Sequence, residues 1–507
     1  MIEFFLNGQP QRVAVTPDTS VLELLRGPLG QCGTKEGCAS GDCGACTVAI
    51  AHPQDGHPQD GHAQDGHPKD DHRALAYRTA NACITPAHQL QGAHLVTVEG
   101  LARGDALHPA QASMVACHGS QCGFCTPGIV MSLFALHEQQ RKTPDAALDP
   151  HRLEASLGGN LCRCTGYRPI RDAALSMGDR ADVRPPWADD PALENQIRAL
   201  TRQSAEADDD SSTPGYQTPA TLAELIATMQ RHPEAPLVAG ATDLWLDVTQ
   251  RLERFDTLID LRQVRELRQI EEEANGWWVG AAVTYREWEP LLAEHYPAFA
   301  HLVTRLGSDQ IRNRATVGGN IANASPIGDT PPVLLTLDAR LRLAGPEGIR
   351  ELPLESFFLD YKKTALEAGE CVAAIYLPKP RADHELRVWK LSKRREDDIS
   401  TLLGAFRWRL RDGVLADVRV AYGGMAATPL RLQAVEAALE GQAPGEDAFA
   451  IAKKALRDSL TPMSDARGSA DYRLIAAVNL LERWRLTLAR ADSNVPTPEV
   501  ALDAYAH

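Results

Sequence analysis

The chain has 507 residues, 44% of them apolar, which is too long for one hydrophobic core and predicts three or four domains. Its formal net charge of −15 repels nucleic acid and anionic membranes at long range, so neither is expected as a partner. Met1-Ile2-Glu3-Phe4-Phe5-Leu6-Asn7-Gly8 has no basic leader, and no run of about eighteen uncharged apolar residues follows, so a cytoplasmic protein is expected. In that reducing compartment, 11 cysteines point to metal rather than to disulfides.

Residues 2–6 and 11–15 are apolar-rich and are joined through Asn7-Gly8, a dipeptide that tolerates the positive φ angles of a tight turn, so the chain should begin as a β-hairpin. From Thr19, an amphipathic stretch (Val21, Leu22, Leu24, Leu25) predicts a helix that empties at Gly30 into a glycine- and cysteine-dense loop ending at Cys46. Between His52 and His72 an H-P-Q-D-G-like pentamer repeats, placing His52, His57, His62, His67 and His72 at one interval. Such composition buries nothing, and the spacing aligns the rings on neither a helix nor a strand. It therefore reads as a solvated loop insertion rather than a Zn²⁺ or Ni²⁺ site. Helical patterning dominates residues 106–173, with apolar helices over 129–137 and 153–157. A stretch rich in Pro, Asp and Ser, from Arg184-Pro185-Pro186 to Asp208-Asp209-Asp210-Ser211-Ser212, reads as a linker. Beyond it, strands and helices mix without βα alternation, which predicts α+β. Residues 388–491 read as strands (404–410 and 418–422) followed by helices.

Cys38, Cys43 and Cys46 have the spacing C-x4-C-x2-C of a plant-type [2Fe–2S] ferredoxin, with Cys83 as the natural fourth ligand. Gly37, Gly41 and Gly44 let backbone amides turn toward sulfur and offset its negative charge. Four cysteines would also suit tetrahedral zinc; the four-residue gap and the glycine-rich wrap favour iron–sulfur. Cys122 and Cys125 (C-x2-C) and Cys162 and Cys164 (C-x-C) sit at helix ends, where two pairs can converge on a second cluster. Thr126-Pro127 opens the 129–137 helix and directs its positive end toward an anionic group. A thioredoxin-like motif or half of a zinc site is the competing reading of one such pair. Cys32 reads as a free loop thiol rather than an alternate ligand, and Cys117 and Cys371 as ordinary thiols.

The segments Gly33-Thr34-Lys35-Glu36-Gly37-Cys38, Gly41-Asp42-Cys43-Gly44-Ala45-Cys46-Thr47-Val48, Gln121-Cys122-Gly123-Phe124-Cys125-Thr126-Pro127-Gly128 and Asn160-Leu161-Cys162-Arg163-Cys164-Thr165-Gly166-Tyr167 closely resemble the molybdenum hydroxylase family. The resemblance continues through residues 237–244, 316–326, Ser392-Lys393-Arg394-Arg395-Glu396-Asp397-Asp398 and Tyr422-Gly423-Gly424-Met425. It follows the domain order of the small iron–sulfur/FAD subunit of bacterial two-chain, purine-oxidising members. It implies a multidomain α+β chain: a β-grasp ferredoxin-like domain (1–92, with the His-repeat insertion at 52–72) and a helical [2Fe–2S] domain (93–180). A linker (181–213), an FAD-binding domain of the vanillyl-alcohol-oxidase/PCMH type (214–385), a C-terminal CO dehydrogenase flavoprotein-like domain (386–492) and a tail (493–507) follow.

The resemblance also implies the ligand sets, Cys38, Cys43, Cys46 and Cys83 for one cluster and Cys122, Cys125, Cys162 and Cys164 for the other. It places FAD on Leu237, Val238, Ala239, Gly240, Ala241, Thr242, Asp243 and Leu244, on Thr316, Val317, Gly318, Gly319 and Asn320, and on Asp329, Val372 and Lys390. Gly240 and Gly318-Gly319 would permit close backbone approach to a pyrophosphate, and no G-x-G-x-x-G follows a strand, so a Rossmann site is excluded. The charged loop 393–398 is expected beside the flavin. No molybdopterin-binding domain follows residue 491. The resemblance therefore implies a molybdopterin-binding large subunit as partner, in a heterotetramer of two small and two large subunits. Electrons from purine hydroxylation would pass through both clusters to FAD and on to NAD⁺, with O₂ as the alternative acceptor. An aldehyde- or N-heterocycle-oxidising relative, a non-enzymatic electron carrier and a zinc-stabilised interaction protein are the rival readings.

Overall fold

The computed structural model describes residues 1–53, 75–142, 148–190, 192–206 and 215–491. His57 to His72 of the repeat, Asp208 to Ser212 of the expected linker, and the expected tail lie outside the described residues. The chain forms two compact units, Met1–Arg265 with Gly307–Ala315, and Glu266–Leu306 with Thr316–His507. It is a multidomain α+β protein, as expected. No helix among the described residues is long and apolar enough to cross a membrane.

The first unit opens with the hairpin Ile2–Leu6 and Gln9–Val13, turned at Asn7 (φ 50°) and Gly8 (φ 81°). The second strand starts at Gln9, two residues before the apolar run at 11–15, because a two-residue turn makes Leu6 pair with Gln9 whatever the side chains that follow. Ile2–Leu6 also pairs in parallel with His94–Val96, giving a five-stranded mixed sheet completed by Thr47–Ala51 and Arg78–Asn81. This is the β-grasp arrangement. The helix Val21–Arg26 buries Val21, Leu22, Leu24 and Leu25 against the sheet. Ser20 caps it, in a reciprocal box with Glu23 that satisfies two otherwise orphaned amides.

The helices Pro109–Ala116, Thr126–Gln140, Pro150–Leu157 and Arg168–Leu175 form the helical domain, with Pro127 in the first turn of its longest helix. The stretch expected to be a linker departs from that expectation. Pro186–Asp189 and Leu193–Glu206 are helical, and Trp187, Leu193 and Ile197 are buried in the helical domain's core. Trp187 also donates its indole N–H to the carbonyl of Gly100 at 3.0 Å. Proline and acidic residues set the local composition there, but Leu193 and Ile197 at helical spacing, with Trp187 in the turn before them, decide the packing. A small parallel sheet, Tyr216–Gln217, Leu258–Asp260 and Leu237–Val238, ends this unit.

In the second unit, five antiparallel strands order as Gly348–Pro353, Arg340–Gly345, Cys371–Pro378, Gly276–Gly280 and Ile270–Glu273. A four-stranded antiparallel sheet follows, built on the hairpin Leu402–Arg411 and Val414–Gly423. The helices Gln433–Leu439, Glu446–Ser459 and Ala470–Ala491 close it over a core centred on Phe406, Tyr422, Phe449 and Trp484.

Candidate functional site

The loop from Gly27 to Cys46 carries left-handed backbone at Ala39, Gly41 and Gly44, the alternation that turns successive amides toward one anionic centre. The Ser40 amide donates to Cys38 Sγ at 3.4 Å. Cys83, in the turn that follows Arg78–Asn81, returns to the loop with its Sγ 3.4 Å from that of Cys46. The four sulfurs compete for protons: hydrogen bonds from Cys43 and Cys83 pull Cys38 and Cys46 down, while Cys43 and Cys83 are pushed up as the donors. A cationic metal centre would replace those shared protons, which is the chemical fit for a cluster.

The second thiol set gathers at the start of Thr126–Gln140. Cys122 and Cys164 have sulfurs 3.7 Å apart. Burial, then the neighbouring Cys162, pushes the Cys125 thiol up to about 12. Burial acts on Cys162 in the same direction, but hydrogen bonds from Thr165 outweigh it and bring this thiol to about 7. Cys125 and Cys162 are buried, whereas Cys122 and Cys164 are exposed. Among the remaining cysteines, Cys32 is exposed, Cys117 lies 3.5 Å from the Ser176 hydroxyl, and Cys371 is buried in a strand.

The two thiol loops are joined directly. The amide of Leu161, next to Cys162, donates to the carbonyl of Cys43 at 2.9 Å. Asn160 donates to the Gly44 carbonyl at 3.0 Å and to Thr47 Oγ1 at 3.2 Å, and accepts from Ser132 at 2.6 Å and Gln310 at 3.2 Å. A Cβ on Gly128 would fall on the Gly44 carbonyl oxygen, so the approach of the long helix to the first loop requires glycine there. Gln310 comes from Gly307–Ala315, a segment that belongs to the first unit although the chain on both sides of it lies in the second. Sequence reading missed Gln310 and Ser132, for which no local spacing gives a signal.

The expected flavin residues fall in both units. Leu237 to Leu244 lie in the first, at the end of the small parallel sheet. Among the described residues, the amides of Gly240, Ala241, Thr242, Asp243 and Leu244 donate to no protein acceptor, although Gly240 and Ala241 are buried. Orphaned buried donors on a loop with Ala241 at φ 64° fit an anionic group such as a pyrophosphate. Gln89 ties this loop down, donating to the Ala239 carbonyl at 2.9 Å, and also accepts from Arg314. Gln250 follows the helix Trp245–Thr249 and donates to the carbonyls of Cys38 and Ala39 at 3.2 and 3.0 Å.

Thr316, Val317, Gly318, Gly319, Asn320, Asp329, Val372 and Lys390 lie in the second unit. The amides of this segment are taken by the protein itself. Val317 and Gly318 donate to Val283 and Ala281, and Gly319 donates to its own cap, Thr316 Oγ1. The space where a Gly318 Cβ would stand is filled by Ala281, so this glycine serves backbone packing. The structure brings Asp329 and Lys390 together across 61 residues as a buried ion pair at 2.8 Å. Lys390 also donates to the Arg305 carbonyl at 2.9 Å, and Ser400 donates to Asp329. Val372 is buried in Cys371–Pro378. In the charged loop at 393–398, Arg394 donates its N–H to Asp398 and its guanidinium to the Asp397 carbonyl, and Lys393 donates to the Ala466 carbonyl at 2.7 Å.

Four family models match in order: a 2Fe-2S iron-sulfur cluster binding domain over 4–88, a [2Fe-2S] binding domain over 97–175, an FAD binding domain in molybdopterin dehydrogenase over 209–380, and a CO dehydrogenase flavoprotein C-terminal domain over 387–488. Xanthine dehydrogenase of Drosophila pseudoobscura pseudoobscura is 34% identical over 84% of this chain and 34% of its own length. Xanthine dehydrogenase 1 of Arabidopsis thaliana is 29% identical over 89% and 36%. The chain thus spans about a third of the length of these relatives. Among solved structures, carbon monoxide dehydrogenase from Hydrogenophaga pseudoflava matches with 31% identity and a TM-score of 0.51 over 54% of this chain and 95% of that one. Quinoline 2-oxidoreductase from Pseudomonas putida 86 matches with 29% identity and a TM-score of 0.50 over 54% and 96%. Two 2Fe–2S domains, an FAD-binding domain and a flavoprotein C-terminal domain in this order, with relatives of 30% identity or more along them, have one reading: the chain belongs to the molybdenum hydroxylase family of oxidoreductases and carries its iron–sulfur and flavin part.

Proposed function

We propose that this chain is the electron-transfer subunit of a xanthine dehydrogenase. It passes electrons from a molybdenum cofactor on a partner large subunit through its two clusters to FAD and on to NAD⁺, in the oxidation of hypoxanthine and xanthine to urate in the cytoplasm. The observation that carries the relay is the Leu161 N–H to Cys43 carbonyl hydrogen bond, which joins the two thiol sets by a short path of covalent bonds and one hydrogen bond. The substrate rests on the xanthine dehydrogenase relatives aligned along 84–89% of the chain.

In this reading Cys38, Cys43, Cys46 and Cys83 hold one [2Fe–2S] cluster and Cys122, Cys125, Cys162 and Cys164 the other. Each set has two buried thiols; the other two are exposed in the second set, Cys122 and Cys164, which would leave that cluster open to a partner, and half-buried in the first, Cys38 and Cys43. The free amides of Gly240 to Leu244 bind the flavin pyrophosphate; Thr316, Val317, Gly318, Gly319 and Asn320 pack against the cofactor; and Val372 and the Asp329–Lys390 pair take the remaining flavin contacts. Lys390 is pinned by Asp329 and the Arg305 carbonyl, so its ammonium is held in one position. When bound, flavin supplies the conversion between single-electron carriers and a two-electron nicotinamide.

The test is to co-purify the native complex, identify the partner, and measure xanthine-dependent NADH formation. The expected result is turnover by the complex, in a heterotetramer of two small and two large subunits, and none by this chain alone. Xanthine turnover by the single chain would overturn the assignment. The carbon monoxide dehydrogenase and quinoline 2-oxidoreductase likenesses favour a second reading, the same relay serving a different hydroxylase. A complex that oxidises an aldehyde or an N-heterocycle but not xanthine would establish it.

A further inference from the structure

A cavity of about 480 Å³ opens within the second unit. That volume suits a metabolite of nucleoside size. Its walls are Tyr296–Ala298, Pro378–Arg381, the start of the strand Glu385–Leu391, and the hairpin residues Arg407, Asp417 and Arg419. Five Lys or Arg side chains line it against three carboxylates, so the lining has an excess of positive charge. Lys390 lies toward the other end of the same strand, so the cavity is separate from the Asp329–Lys390 pair.

The charge is built in rather than scattered. Asp338 holds two guanidiniums, Arg407 Nη2 at 2.7 Å and Arg419 Nε at 3.1 Å. Burial works against the Asp338 carboxylate, yet those two arginines hold its carboxyl below the usual range. One carboxylate shared by two guanidiniums leaves a net positive charge fixed in direction. The Arg407 side chain is only 15% exposed, and among the described residues its Nε has no hydrogen-bond partner. Arg381, exposed at the rim, makes no ion pair among the described residues. The apolar part of the lining is Leu337, Pro297, Pro378 and Pro380, and Tyr296 is held among them by donating its hydroxyl to the Pro378 carbonyl at 2.6 Å.

We propose that this cavity binds a small organic oxyanion, a phosphate or carboxylate carried on a flat apolar body, with Arg407 and Arg419 gripping the anionic end. The test is calorimetric titration of the full flavin-loaded chain with adenosine 5′-monophosphate, benzoate and uncharged adenosine. One of the two anions should bind saturably at one site per chain, more weakly as salt is raised, while adenosine should not bind. Arg407→Ala should weaken binding about tenfold, the loss of one charge-assisted contact, with flavin content unchanged. Should that variant fold poorly, Arg381→Ala at the exposed rim should still weaken binding about threefold by removing one unpaired cation. No saturable binding of either anion, or an affinity that neither substitution changes, overturns the site.

Discussion

Replacing Asn160 by alanine would unpick the junction between the two thiol loops. The side chain is 3% exposed and makes four hydrogen bonds, to Gly44, Thr47, Ser132 and Gln310. At about 1 kcal/mol net for each bond, the whole set is worth roughly 4 kcal/mol. The Gly44 carbonyl keeps both the amide and the hydroxyl of Thr47, and Thr47 keeps Gln310, so those partners are partly compensated. The Ser132 hydroxyl, 1% exposed, is left without its acceptor. The expected loss is therefore about 3 kcal/mol, which lowers the melting temperature of a unit this size by about 6–12 °C. The assay is thermal unfolding of the metal-loaded chain, followed by the visible absorbance of the clusters. Ser132→Ala, which removes the hydroxyl but leaves Asn160 its bonds to Gly44 and Thr47, should cost only about 1 kcal/mol. An Asn160→Ala protein within 1 °C of the parent would refute the claim that this side chain holds the loops together.

Other perturbations test other parts of the chain. Cys46→Ser and Cys162→Ser should each remove one cluster and leave the other, so iron analysis should fall from about four to about two per chain in both; a variant that keeps all its iron would exclude that cysteine as a ligand. Lys390→Met leaves the Asp329 carboxylate buried without its cation, which should destabilise the second unit by about 3–5 kcal/mol and lower the flavin-to-protein ratio, while Asp329→Asn with Lys390→Met should recover part of the stability. His94 accepts from the Gly8 amide and shares a hydrogen bond with Tyr77, and burial lowers its pKa to about 3. Its unfolded form takes a proton near pH 6.5 and the folded form does not, so its stabilising effect is complete above pH 6.5 and falls as pH drops toward 3. That loss is about 1.4 kcal/mol for each pH unit. Melting temperatures between pH 7.5 and 5 should accordingly fall less for His94→Gln than for the parent.

How much was legible from residues alone follows the range of the interactions. The Asn7-Gly8 turn, the helix opened by Pro127 and the two cysteine spacings are local rules, and the structure places each thiol set together. The structure departs from the linker expectation because Pro, Asp and Ser set the composition of that stretch, while Trp187, Leu193 and Ile197 are buried in the helical domain's core. Gly318 and Gly319 were expected to let a pyrophosphate approach the backbone; Ala281 and Thr316 take the amides of these two glycines, whereas among the described residues the amides of Gly240 to Leu244 donate to no protein acceptor.

By itself the sequence determined the metal chemistry, since a diiron centre needs thiolates at short separations and a loop's spacing is written in consecutive residues. Tertiary structure alone decided that Gln310 reaches Asn160 across 150 residues, that Asp329 meets Lys390, and that Asp338 aligns Arg407 with Arg419. A buried polar group must find a partner, but which partner depends on where distant segments come to rest, and no local pattern encodes that.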